Sequence, residues 1–236
     1  MIDVARKRTR LPLQVGCMAV AAMAAVLARW WGGYPNCPTD ELNWSRIAVQ
    51  LDQGIDWPVS GPLHVALLRA LSSTLTIDYE QTLALMGVLF VPLAMAVLLW
   101  CYRRLDVQPM RWALLALCLS SYFWAAWIES RPQQWGQMLV LLGATSLWLA
   151  LSGRGAWLLY GGIMLLTAFV HILSYALLLM LSVWLIAYFY LLRECSLPTF
   201  WRWLGCVVLS TTVFLLPGGP YQAMLRDIGA NHLRDS

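Results

Sequence analysis

The sequence predicts an all-α membrane protein of about seven transmembrane helices, with an amphipathic helix in the outer loop after the first span. Three observations lead there. Of the 236 residues, 60% are hydrophobic and only 12% are charged, against about 25% charge in soluble chains. Apolar runs long enough to cross a hydrocarbon core of roughly 30 Å recur along the whole length. The basic residues are also sided. Alternating spans put Arg6, Lys7, Arg8, Arg10, Arg103, Arg104, Arg111, Arg154, Arg193 and Arg202 with the N-terminus, ten of the sixteen basic residues. That side is expected to be cytoplasmic, because short basic segments are retained inside. A net charge of +4 spread this thinly does not suggest a nucleic-acid partner.

Residues 1–12 form a basic cytoplasmic start, and the first apolar run leads to Trp30 and Trp31, residues suited to the headgroup level. A basic start before a short apolar core also describes a signal peptide; a retained span at about 13–31 is the preferred reading. The outer loop, 32–79, has its own structure. Thr39 can cap a helix whose first turn holds Asp40 and Glu41, where the dipole favours negative charge. Trp44, Ile47, Ala48, Leu51 and Ile55 then recur at helical spacing, with Asn43, Arg46, Gln50 and Gln53 opposite. That pattern predicts a helix lying on a membrane surface, with Asp40 one turn before Trp44 on the apolar side. A second short helix is expected from His64 to Leu75, with His64 and Arg69 on its polar face.

Further spans are predicted at about 80–101, 110–128 and 132–151, with Pro132 suited to a first helical turn. From Ala156 to Leu192 the chain carries no formal charge over 37 residues. As one helix that stretch would extend roughly 55 Å, so it is expected to fold back near His171 to Tyr175, giving spans at about 156–171 and 173–192. A last span at about 200–217 precedes an outer tail, 218–236. The six cysteines have no CxxC spacing, so they read mostly as small apolar side chains, without a structural zinc site.

Polar residues at the outer rim stand out against this background. They are Asp40, Glu41, Arg46, His64, Arg69, Glu80, Glu129, Arg131 and His171, and the predicted topology brings all of them to one membrane face. A charge at the bilayer centre costs at least ~2.5–3.5 kcal/mol, so they are expected at the interface or around a protein cavity. A transporter would need ionisable groups at mid-membrane or paired broken helices, and Pro92 is the main mid-span breaker.

The order of motifs resembles a known family. The acidic pair after span one is followed by Ala48-Val49-Gln50-Leu51-Asp52-Gln53-Gly54-Ile55-Asp56-Trp57, then Gly61-Pro62-Leu63-His64, and Ser130-Arg131-Pro132 before span four. Over roughly residues 13–192 this is similar to the N-terminal seven-span module of GT-C membrane glycosyltransferases, in the protein O-mannosyltransferase and lipid A aminoarabinose transferase group. Ser60-Gly61 stands where that group carries a lysine before a double proline, and Gln133 where it carries an acid.

The resemblance implies transfer of a sugar from a polyprenyl-phosphate donor to an acceptor at the outer face, with inversion. Asp40 would be the general base and Glu41 its support. Arg131, His171, Arg69, Arg46 and His64 would serve the leaving phosphate, and a divalent cation, Mg or Mn, held by Asp40 and Glu41 would fit members that use a metal. Partners would be the lipid-linked donor, membrane lipids and a second membrane subunit. The alternative is a non-catalytic or incomplete GT-C-like subunit that binds lipid phosphate or scaffolds a partner.

Overall fold

Apolar runs bounded by proline and small polar residues become helices throughout the computed structural model, which describes residues 20, 23, 27, 40–55, 61–105, 130–192, 194–216 and 221. Among the described residues there are seven helices and no strand: α1 Asp40–Asp52, α2 Pro62–Leu75, α3 Tyr79–Arg104, α4 Pro132–Leu151, α5 Trp157–Val170, α6 Ile172–Leu191 and α7 Leu197–Leu215. The all-helical reading of the sequence therefore stands. Two of these helices, α3 and α6, are long and apolar enough to cross a membrane. Helix α5 is equally apolar but has 14 residues, about 21 Å at 1.5 Å per residue. Helix α4 has the length, but opens with Gln133, Gln134 and Gln137. The spans expected at 13–31 and 110–128 fall largely or wholly outside the described residues, as do Glu129, Cys17, Cys37 and Cys118.

The chain divides into two compact units, Met1–Leu42 with Glu80–Ser130, and Asn43–Tyr79 with Arg131–Ser236. In the first, α3 buries Leu83, Met86, Phe90, Ala94, Leu98 and Cys101, a stripe at helical spacing. Glu80 in its first turn and Arg103 and Arg104 in its last complement the helix dipole, and the Arg104 guanidinium lies 5.9 Å from the Trp100 ring centre.

The second unit is built on α4 to α7. Pro132 lies beside Val170 and Gly136 beside Ser174, while Gly143 faces both Ile163 and Leu178. Trp148 meets Phe189 edge to face, 5.3 Å between ring centres. Helix α5 thus runs antiparallel to α4, and α6 runs parallel to it, so the chain reverses at His171. Helix α7 returns alongside α5, with Cys206 near Gly161 and Tyr221 donating a hydrogen bond to the Ala168 carbonyl. The shared core includes Leu147, Tyr160, Met164, Ala168 and Leu178. Hydroxyls stitch the helices where backbone cannot: Tyr175 Oη lies 3.0 Å from Ser210 Oγ and 2.9 Å from Thr211 Oγ1, and the Trp203 indole donates to Ser182 Oγ at 3.0 Å. The outward side of α6 is apolar, with Leu173, Met180, Trp184 and Leu191 all exposed.

Candidate functional site

Three helices begin close together in the second unit. Pro62 opens α2 and Pro132 opens α4, positions where a missing N–H costs nothing. Helix α6 begins directly after His171, whose extended backbone (φ −163°, ψ 119°) separates it from α5. A Cβ on Gly61 would lie 2.7 Å from Pro132 Cβ and Cγ and 3.1 Å from the Val170 carbonyl oxygen. Only glycine permits that approach. Gly136, one turn into α4, plays the same part against α6: its Cβ would fall 2.1 Å from Ser174 Oγ and 3.3 Å from His171 Cβ. Arg131 immediately precedes Pro132 and His171 immediately follows Val170, so both border this meeting of helix starts.

Local hydrogen bonds hold these two residues. The Arg131 N–H donates to Gln134 Oε1 at 3.2 Å, while the Gln134 N–H donates to the Arg131 carbonyl at 3.2 Å; the glutamine does the work of a capping-box residue. The Ser174 N–H donates to His171 Nδ1 at 3.3 Å, and Ser174 Oγ lies 3.0 Å from the same nitrogen. Because Nδ1 accepts, the proton of the neutral ring is assigned to Nε2. The positive ends of three helix dipoles thus meet here, together with the carboxyl end of α5 at Val170, whose carbonyl oxygen lies beside Gly61.

The other expected site residues are placed differently. His64 is 1% exposed, a correction to the polar-face position expected for it. Its ring meets Trp44 edge to face at 5.4 Å, and neither ring nitrogen has a hydrogen-bond partner among the described residues. Burial pushes its pKa down to about 3, so it is neutral at physiological pH. Arg69 is exposed as expected, but it is engaged: Nε and Nη2 lie 2.8 and 2.7 Å from Asp52 Oδ1. The Tyr79 hydroxyl donates to Asp52 Oδ2. That hydroxyl, aided by Arg69, holds the Asp52 carboxyl below its ordinary pKa against the opposing effect of desolvation. Arg46 is exposed on α1.

Asp40 and Glu41 are the first two residues of α1, where the structure describes their helical backbone. They fall in the first unit, whereas Arg46, His64, Arg69, Arg131 and His171 fall in the second. Among the described residues no three His, Cys, Asp or Glu side chains gather as a metal site. Sequence reasoning gave Gly61 no packing role and passed over Gly136, Ser174 and the Asp52–Arg69–Tyr79 clasp. The readable signals were glycine before or just after a helix-opening proline, and serine three residues after His171, the spacing of an N-cap contact. No protein family, curated protein or solved structure matches this chain.

Proposed function

We propose that the chain is a membrane glycosyltransferase, or the core module of one, of the GT-C type. It moves a sugar from a polyprenyl phosphate to an acceptor hydroxyl at the outer membrane face, through seven spans with the N-terminus cytoplasmic. The observation that carries this reading is the meeting of three helix starts beside Arg131 and His171. A lipid-linked sugar leaves as a phosphate, and preorganised donors at developing negative charge are the largest single aid to such a step. Asp40, with Glu41 in support, takes the proton of the acceptor hydroxyl as its oxygen attacks the anomeric carbon from the face opposite the phosphate, inverting that centre. The resemblance assigns the departing phosphate to Arg131 and to the Nε2–H of His171. Arg46, Arg69 and His64 have lesser parts in this scheme, given the exposure, ion pair and burial described above. The resemblance also allows a magnesium or manganese ion at Asp40 and Glu41, where it would neutralise the leaving group.

A reconstituted assay with a radiolabelled polyprenyl-phosphate sugar tests the reading. Asp40→Asn is expected to lower transfer by roughly 10²–10⁴-fold, the usual worth of a general base. Full activity in that variant would sink the assignment. The second reading, a lipid-phosphate-binding subunit without transfer activity, is favoured by one observation: Arg69, a cation of the outer loop, is occupied by Asp52. Donor binding that survives in Asp40→Asn, with no transfer by the parent chain, would select it.

A further inference from the structure

At the opposite end of the α4–α7 group from His171, the turn from α6 to α7 lines an open pocket of about 500 Å3. That is within the roughly 300–1,000 Å3 of small-molecule sites. Ile186 and Tyr190 wall it from α6, Phe200 and Trp203 from α7, and Cys195 and Ser196 close the linker. The lining is almost wholly apolar. Its far wall is fixed, because the Trp203 indole is tied to Ser182 and packs at 5.6 Å against Phe200. The side chains therefore do not simply collapse into the space.

The surroundings say what kind of medium the cavity opens to. Trp184, Tyr190, Leu191, Leu197 and Trp201 are all more than half exposed on the same turns. In water such a patch would invite aggregation, whereas tryptophan and tyrosine collect at the level of lipid headgroups. Between the lining residues Phe200 and Trp203, the exposed Arg202 supplies a cation. The geometry points to a binding site for one acyl chain of an anionic membrane phospholipid, with Arg202 pairing the headgroup phosphate. A flexible apolar chain matches the lining, and the aromatic collar and Arg202 match the depth and charge of a headgroup; the exposed Glu194 lies on the linker beside Cys195. This site rests on the membrane reading of the chain and is independent of sugar transfer.

The test uses the full chain in nanodiscs holding equal amounts of phosphatidylcholine and phosphatidylglycerol, followed by detergent extraction and native mass spectrometry. One phosphatidylglycerol is expected to stay with each chain. Ala187→Trp, which places an indole in the cavity, should retain at least tenfold less lipid, and Arg202→Gln should retain the two lipids equally. Val183→Phe fills the same space from one turn earlier and serves where Ala187→Trp does not fold. Equal retention by the parent and either filled variant overturns the site, as does a retained polypeptide or no retained lipid. A chain that never enters the nanodisc sinks the membrane reading itself, whereas one that inserts and holds no lipid sinks only this site.

Discussion

Helix α1 from Asn43 onward, helix α2 and the four-helix group that follows Arg131 belong to one unit but are held by different forces. Helices α1 and α2 are joined by an ion pair on the surface, Asp52 with Arg69, and by a buried histidine set against Trp44. Helices α4 to α7 are joined by close approach at glycine and by hydroxyl bonds between helices. The first kind of contact responds to pH and salt. The second responds to volume, since a packed interior resists even one added carbon. The difference makes the pairing of α1 with α2 sensitive to solution conditions, and the helix starts beside Arg131 sensitive to side-chain volume.

Four substitutions probe that contrast, in falling order of expected effect. Gly136→Leu drives a side chain into Ser174 and should destabilise the fold by about 3 kcal/mol, the upper end for overpacking, in chemical unfolding in detergent. The pH response of His64 comes next. Its folded pKa of about 3 lies below the ordinary 6.5, so the unfolded chain takes up a proton first. Its contribution is intact above pH 6.5 and is lost as pH falls, by about 2 kcal/mol between pH 7 and pH 5. His64→Phe should flatten that slope; an unchanged slope would mean that other groups carry it. The Asp52 contribution, with its pKa also lowered, is lost only in more acid solution, below about pH 4. Tyr175→Phe removes the contacts to Ser210 and Thr211 and should cost about 1 kcal/mol, the usual net worth of a hydrogen bond. Arg69→Gln should cost less than about 1 kcal/mol, because the pair is exposed, and the difference should shrink further in high salt.

Helical content was legible because its signals are local. The run of Trp44, Ile47, Ala48 and Leu51 marked α1, and the prolines at 62 and 132 marked two helix starts; Thr39, expected as a cap, lies outside the described residues. Excess length alone placed a reversal near His171. The burial of His64 was not legible: as an imidazole among aliphatic residues it reads as either face of an amphipathic helix, and only packing against Trp44 decides. The clasp of Asp52, Arg69 and Tyr79 was hidden for another reason. Its members are 17 and 27 residues apart from Asp52, so no periodicity links them. Gly61 and Gly136 read as ordinary small residues, because the neighbour that forbids a side chain lies on another helix.

Because a lone residue, His171, separates two long helices, the length of that junction sets a phase as well as a direction. One inserted residue would turn α6 by about 100° about its axis, given 3.6 residues per turn, and carry Ser174 away from Gly136. Longer connections elsewhere in the chain can absorb insertions as slack. Here a gain or loss of one codon would be read as a rotation, so natural variation should spare the length of this junction even where it changes the residues on either side.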